Sequence, residues 1–296
     1  KNLFQKIDEG ITPSHKYKGG LRVLNTRPFN AEALPHLLDD DITPNHKHFV
    51  RNNGLLPSSA NSRDTALGTF FTSQDWILNV DGEVHNPLTL NLEQLKRFKH
   101  RTLALTIECG GNGRAGFDPP AKGNQWTFGA VGCATYTGVR LRDVLQEAGL
   151  KDTAFYTGYY GADQHLSGNK NRDAISRGTP IHKAMDEHTL IAWEMNGQPL
   201  PALHGFPLRI ITPGWPGSTS IKWLRRIWVR DREHDGAKMT GFSYRVPKYS
   251  VSPGTKVPKE DMKIIESMPV KSLITKPKTQ GHHGFGKPLI VRGHAW

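Results

Sequence analysis

Cys109 is the residue most open to a chemical reading. It follows the run Leu103-Ala104-Leu105-Thr106-Ile107-Glu108 and precedes Gly110, Gly111 and Gly113. The run is short and mostly apolar, which predicts a buried strand, and glycines after a strand let backbone come close to a large ligand. A thiolate is a strong ligand for a soft metal. The competing reading is a buried cysteine acting only as a small hydrophobe. A second group is His204-Gly205-Phe206-Pro207-Leu208-Arg209, followed by Pro213-Gly214-Trp215-Pro216-Gly217-Ser218-Thr219-Ser220-Ile221-Lys222. An arginine in a strand and a Gly/Ser/Thr loop ending in lysine suit a phosphate or another anion. The competing reading is a solvated strand beside an ordinary turn. The third group is Phe49-Val50-Arg51-Asn52-Asn53-Gly54. A single arginine in a polar loop signals little on its own.

Other chemistries lack their residues. There is no Gly-x-Ser-x-Gly elbow, no Gly-x-Gly-x-x-Gly after a strand and no Walker ending. The chain has 14 histidines but no His-Glu-x-x-His, and His282-His283 sit in a Gly-rich loop that reads as solvated. Two cysteines, Cys109 and Cys133, exclude a disulfide-rich scaffold and a Cys-built zinc site. Whether they pair is left open. No Cys-x-x-Cys-His is present for a c-type haem. No run approaches the ~20 apolar residues of a membrane span. No signal peptide is visible, as in a mature chain whose signal has been removed.

The elements that must position these groups read as α+β, with more strands than helices and no regular alternation. Residues 1–75 read as an irregular wrap with one extended piece over Lys47–Arg51. Trp76, Leu78 and Val80 alternate, and Asp81-Gly82 predicts a hairpin turn toward Val84. Asn91 predicts the N-cap of a short helix carrying Leu92, Leu95 and Phe98. Leu141, Val144, Leu145 and Ala148 share one helix face that Gly149 closes. Further strands are expected at 153–160, Leu190–Trp193, Leu208–Thr212 and Ile221–Arg230, with Asn196-Gly197 as a turn. A second helix is expected from Thr179-Pro180 to Glu187, with Ile181, Ala184 and Met185 facing in. Residues 231–288 read as surface loop, and Pro288–Trp296 as a last strand.

The chain of 296 residues carries 39 basic and 27 acidic residues, a net charge of +12. Residues 236–296 hold 11 of the basic and 3 of the acidic ones, so most of the excess lies there. A basic module for nucleic acid or heparin would use such a tail. It would leave the Cys, His, Arg and Lys blocks without a role, and no aromatic platform for single strands accompanies it. Nucleic acid is therefore not an expected partner.

Those blocks resemble the sulfite oxidase family of molybdenum enzymes. The resemblance rests on Glu108-Cys109-Gly110-Gly111-Asn112-Gly113-Arg114, Trp126-Thr127-Phe128-Gly129-Ala130-Val131-Gly132 and Thr137-Gly138-Val139-Arg140-Leu141. It extends to Phe49-Val50-Arg51-Asn52, Gly161-Ala162-Asp163, Trp193-Glu194-Met195-Asn196-Gly197, His204-Gly205-Phe206-Pro207-Leu208-Arg209 and Ile221-Lys222-Trp223-Leu224. The blocks stand in family order, and the pattern is nearest to bacterial sulfite dehydrogenases without a haem domain. The resemblance implies a mixed-sheet molybdopterin-binding domain over residues 1–285. It also implies that 286–296 begins an immunoglobulin-like dimerisation domain, which in the family lends the substrate pocket a basic residue.

The same resemblance implies a molybdenum-molybdopterin cofactor with Cys109 as metal ligand and no haem in this chain. Asp163, His204, Arg209, Ser220, Ile221 and Lys222 would hold the pterin and its phosphate, together with Phe49, Asn52 and Asn53 around Arg51. Arg51 would grip sulfite near the metal. Animal members place histidine where this chain has Asn53. The family's active-site tyrosine aligns with Met239, and Tyr244, rather than Tyr249, is the expected substitute. The implied reaction is oxidation of sulfite to sulfate, with electrons passed to a separate carrier such as a c-type cytochrome in a periplasmic setting. Sulfane sulfur, nitrate and sulfoxide are the alternative substrates within related enzymes. A homodimer is expected if the dimerisation domain is present.

Overall fold

The computed structural model describes residues 17–18, 20–57 and 75–296. Of the expected N-terminal wrap, residues 1–16, 19 and 58–74 lie outside the described residues. The rest of that wrap is more regular than expected. β1 (Tyr17–Lys18), β2 (Leu21–Thr26) and β3 (Phe29–Ala33) form a small antiparallel sheet. Their polarity hides it in the sequence, because β3 buries Asn30 and Glu32 along with the small Ala31 and Ala33. Glu32 is satisfied there by the Thr127 amide at 2.8 Å, the Thr127 hydroxyl at 3.0 Å and Arg22 Nε at 2.9 Å. Such pairing is what lets a carboxylate sit inside. The expected extended piece at Lys47–Arg51 is instead a turn at 45–47 followed by one bridge, Val50 to Ala31.

Two larger sheets carry the core. In one, β6 (His100–Glu108) pairs with β7 (Val131–Arg140), then β10 (Leu190–Met195), which pairs with both β11 (Gln198–Pro199) and β12 (Arg209–Ile211). β7 has no counterpart in the sequence reading, because Gly132 and Gly138 look like breaks. In the sheet they are points of close approach. A Cβ on Gly138 would lie 2.1 Å from the Ile191 carbonyl oxygen, and one on Gly132 would lie 2.6 Å from the His48 ring.

The other sheet runs β5 (Leu88–Asn91), β4 (Ile77–Gly82), β13 (Leu224–Arg230), β8 (Tyr156–Gly161) and β9 (Ser176–Pro180). β13 is parallel to β4 and antiparallel to β8, so the sheet is mixed. The expected hairpin is β4–β5. Its turn lies beyond Asp81-Gly82, because those two residues continue the strand and pair with Trp228 and Val229 of β13. β13 starts at Leu224 and not Ile221, since Trp223 turns the chain at φ 52° and Ile221 and Lys222 pair toward β12.

Helices are few. α1 (Leu92–Leu95) is a single turn with the expected Asn91 cap, which forms a capping box with Gln94. α2 (Leu141–Ala148) buries Leu141, Val144, Leu145 and Ala148 against Leu78, Val80 and Ile227 of the mixed sheet, and Gly149 ends it. α3 (Ile181–Ala184) is shorter than expected, because Thr179 and Pro180 belong to β9, opposite Thr157 and Tyr156. Leu145→Ala is expected to cost about 2–5 kcal/mol, read as a lower urea midpoint, since the site is fully enclosed.

The C-terminal stretch is also more ordered than expected. β14 (Arg245–Pro247) pairs with β15 (Met262–Ile264), and β16 (Ser272–Lys276) with β17 (Arg292–Ala295). Part of its basic excess pairs back onto acidic residues of the rest of the chain. Lys271 pairs with Glu108 at 2.6 Å, Lys278 with Asp39 at 2.5 Å and Arg292 with Asp41 at 2.5 Å. Among the described residues no helix is long and apolar enough to cross a membrane.

Candidate active site

A cleft opens between the 48–53 segment, the end of β6, β12 and the 217–223 segment, with Tyr244 at its edge. All twelve residues expected at the site line it: Phe49, Arg51, Asn52, Asn53, Cys109, Asp163, His204, Arg209, Ser220, Ile221, Lys222 and Tyr244.

Cys109 stands one residue past β6, and its amide donates to the Ala130 carbonyl at 2.9 Å, so it continues the β6–β7 ladder. Its loop is pinned from behind. Buried Glu108 accepts from Lys271 Nζ at 2.6 Å and Asn112 Nδ2 at 2.9 Å, and Asn112 Oδ1 accepts from the Ala130 amide at 3.1 Å. Cys109 and Cys133 are both free thiols. Burial raises the Cys109 thiol, while Arg51 and Arg114 pull it back toward the thiolate that a metal requires.

β3 holds the Arg51 segment. The Asn52 amide donates to Asn30 Oδ1 at 2.7 Å and Asn52 Nδ2 to the Phe29 carbonyl at 3.0 Å. Arg51 donates to Asn30 Oδ1 at 3.3 Å and to Asn53 Oδ1 at 3.0 Å. Phe49 packs edge-on to Trp126 at 6.4 Å and closes the floor.

β12 and the Ser220–Lys222 segment form the opposite wall. Arg209 is buried, and it donates to the His204 carbonyl at 2.9 Å and the Ser220 carbonyl at 3.1 Å. Its Nε has no partner, nor does the buried Ser218 hydroxyl in the same wall. Lys222 donates to Asn52 Oδ1 and to the Leu203 carbonyl, the latter at 2.8 Å. Burial, with Arg209 adding to it, pushes the Lys222 ammonium well down. Gly205 (φ 110°) permits this packing, since a Cβ there would sit 2.9 Å from Lys222 Cβ. Asp163 is pushed up to about 6 by burial, against the pull of Lys222.

Arg51, Arg209 and Lys222 form no ion pair with a carboxylate among the described residues. Uncompensated buried charge costs several kcal/mol. A bound anion supplies what the wall lacks, and the orphaned Arg209 Nε and Ser218 hydroxyl are donors left over for it. The donor set thus fits a phosphate-bearing pterin, and the Cys109 thiol in the same cleft fits a soft metal.

Three site features lie outside the sequence reading. His48 stacks on Phe49 and meets His204 edge-on, each pair at 5.2 Å between ring centres. Its only signal was adjacency to Phe49. Lys238 reaches Asn53 from a loop that reads as plain surface. Ser218 stands within the Gly/Ser/Thr loop with no signal of its own. Of the tyrosine candidates, Tyr244 lines the cleft and donates to Asn53 Oδ1 at 3.2 Å. Met239 is buried with Tyr156 and Ile264, and Tyr249 is exposed and bonded to Asp261.

Burial pushes the His48 imidazole down to about 4 from 6.5, so it is neutral at pH 7. The unfolded chain takes the proton first, so this stability is full above pH 6.5 and is lost as pH falls toward 4. The loss is at most about 3 kcal/mol. Asp163 tilts the other way over part of that range, so the comparison must be with wild type. His48→Gln is expected to flatten the acid limb of a urea-midpoint profile relative to the wild-type chain.

Residues 67–238 match the model of the oxidoreductase molybdopterin binding domain. The chain is 34% identical over 292 residues to mitochondrial sulfite oxidase of Rattus norvegicus, covering 93% of this chain and 48% of that one. It is 34% identical over 302 residues to sulfite oxidase of Gallus gallus, covering 97% and 60%. It is 31% identical over 308 residues to an NADH nitrate reductase of Brassica napus, covering 95% and 31%. The chain thus spans about half the length of the sulfite oxidases it matches. Among solved structures, the sulfane dehydrogenase SoxCD of Paracoccus pantotrophus aligns with a TM-score of 0.69 at 26% identity, covering 98% of this chain and 73% of that one. The family model, over more than half of the chain and around the cleft just described, establishes it as a member of the sulfite oxidase family of molybdopterin oxidoreductases, with molybdenum-molybdopterin as its cofactor.

Proposed function

We propose that this enzyme oxidises sulfite to sulfate. The observation that carries the reading is that the cationic Arg51 side chain lines the same cleft as the Cys109 thiol and pulls that thiol toward the thiolate. Arg209 and Lys222 suit the cofactor phosphate, and Arg51 suits a small anion beside the metal ligand.

The reaction is SO₃²⁻ + H₂O → SO₄²⁻ + 2H⁺ + 2e⁻. The molybdenum centre supplies the two-electron redox chemistry and the transferred oxygen. The chain's own residues bind and orient. Cys109 would ligate the metal. Arg209, Lys222, Ser220, Ile221, His204 and Asp163 would hold the pterin, with Phe49, Asn52 and Asn53 beside it. His204 and His48 are held neutral by burial, so they donate or accept hydrogen bonds without adding charge. Arg51 would compensate the substrate's charge, and Tyr244 would offer a hydroxyl proton donor over the same spot.

The electrons would leave to a separate carrier, for which a c-type cytochrome in the periplasm is our proposal. We also assign residues 1–285 to the catalytic unit and 286–296 to the edge of a second, dimerising unit. The exposure of Leu289, Ile290 and Val291 supports that assignment. A second substrate reading, sulfane sulfur, is favoured by the SoxCD match. Protein made with ample molybdate should hold about one molybdenum per chain and reduce an acceptor dye or cytochrome c with sulfite. Turnover of a sulfane donor or nitrate in its place, with molybdenum present, would sink the sulfite reading. Absence of molybdenum would revive the basic anion-binding module.

A further inference from the structure

Asn53 Oδ1 receives three donors. Lys238 Nζ lies at 2.7 Å, Arg51 Nη2 at 3.0 Å and the Tyr244 hydroxyl at 3.2 Å. An amide oxygen has two lone pairs and no net charge, so it cannot neutralise two cations. Neither cation pairs with a carboxylate among the described residues.

Lys238 is not a wandering surface lysine. Its backbone is left-handed at φ 67°, and its carbonyl accepts from Arg177 Nη1 at 3.3 Å. Arg177 is fully buried and also stacks on the Tyr244 ring at 5.0 Å. Arg245 Nη2 donates to the next carbonyl, Met239, at 3.1 Å. The 238–245 turn is therefore fastened from below, and both of its functional tips point at Asn53. Two fixed positive charges that share one neutral acceptor, with neither in a carboxylate ion pair among the described residues, favour a ligand that brings two negative charges and several acceptor oxygens.

We propose that Lys238 is the charge-selecting residue of the cleft, forming with Arg51 a two-cation receptor for a doubly charged tetrahedral or pyramidal oxyanion. The assignment rests on the sulfite reading above. The groups facing Lys238 are Arg51, Asp163 and Tyr244, with Arg177 and Arg245 beneath its turn. Burial, and then Arg51, pushes the Lys238 ammonium down to about 8, with Asp163 opposing. Its charge is thus present at neutral pH and lost within an accessible range.

The test uses the holoenzyme, with molybdenum content measured for wild type, Lys238→Met and Lys238→Arg. Calorimetric titration with sodium sulfate and, separately, sodium nitrate reads affinity without turnover. Wild type is expected to prefer the dianion. Lys238→Met should lose about tenfold or more in sulfate affinity with little change for nitrate, and Lys238→Arg should restore most of it. Wild-type sulfate affinity should fall as pH rises through about 8. The arginine variant should hold its affinity there, since a guanidinium stays charged. In sulfite kinetics the loss should appear in KM more than in kcat. Equal sulfate affinity in wild type and a molybdenum-replete Lys238→Met overturns the assignment and leaves the sulfite reading intact. If the Met variant loses its metal, a flat wild-type sulfate profile across that pH range overturns it instead. Sulfate binding through Lys238 without sulfite oxidation sinks the sulfite reading alone.

Discussion

Cys109→Ser is expected to lose sulfite turnover by about three decades or more, ~4 kcal/mol of transition-state stabilisation, while keeping its fold and its pterin. The thiol comes from the end of β6, and the phosphate-type donors Arg209, Lys222 and Ser220 come from β12 and the segment after it. Losing the metal ligand therefore leaves the pterin's grip in place. The cost to the fold is modest. Cys109 is buried beside Phe49, Ile107 and Trp126, and a hydroxyl without a partner there costs about 1–3 kcal/mol. The backbone ladder to Ala130 and the Glu108–Lys271–Asn112 lock do not involve the sulfur. Pterin released on denaturation, thermal midpoint and sulfite-dependent dye reduction should therefore separate cleanly. Wild-type turnover in this variant would remove Cys109 from the metal's coordination.

Lys222→Met is expected to produce the opposite pattern, an intact thiol without a retained cofactor. A charge-assisted hydrogen bond is worth about 1.5–3 kcal/mol, so losing one toward a phosphate weakens retention by roughly 10- to 150-fold. The cofactor-free chain carries a second signature. The Lys222 ammonium is pushed well down in the fold, so the unfolded chain binds its proton more tightly. A lowered lysine costs stability at neutral pH, and the fold regains it as pH rises toward the ordinary value of 10.5. Cofactor-free wild type should thus show a urea midpoint that climbs on the alkaline side, and Lys222→Met should flatten that climb. A bound phosphate returns the proton's partner, so the holoenzyme should not show it. Pterin content equal to wild type in Lys222→Met would place the phosphate elsewhere.

The charge excess that suggested a polyanionic partner divides into parts with different roles. Arg209 and Lys222 belong to the balanced first 235 residues, and both line the cleft, Arg209 buried and Lys222 half-buried. In the basic C-terminal stretch, Lys271, Lys278 and Arg292 bind back onto Glu108, Asp39 and Asp41, and Lys238 reaches Asn53 at the cleft. Net charge spread along a sequence carries no information about which acidic residue folding will bring opposite.

What the sequence determined on its own is local. The Asn91 cap, the apolar face of α2 with Gly149 at its end, and Cys109 at the end of a strand are all written within a few consecutive residues. Most of the twelve site residues stand in blocks in family order, while Tyr244 takes the place that the family order gives to Met239, and the cleft gathers all twelve. Tertiary structure alone decided the rest. Glycines that look like breaks became contacts inside β7, because neighbouring backbone needed the space. Polar Asn30 and Glu32 became buried strand residues, because Arg22, Arg51, Asn52 and Thr127 arrive from elsewhere to bond them. Asp81-Gly82 gave up its turn to a parallel partner 145 or more residues away, a preference that no local window contains. Lys238 and Tyr244 reached the site through left-handed turns fastened by buried Arg177, whose fellow members on the rim of the cleft, Arg51 and Asn53, lie far back in the chain. Spacing along a chain encodes period and capping. The meeting of distant charges depends on where each element stops, and packing against the other sheet sets that.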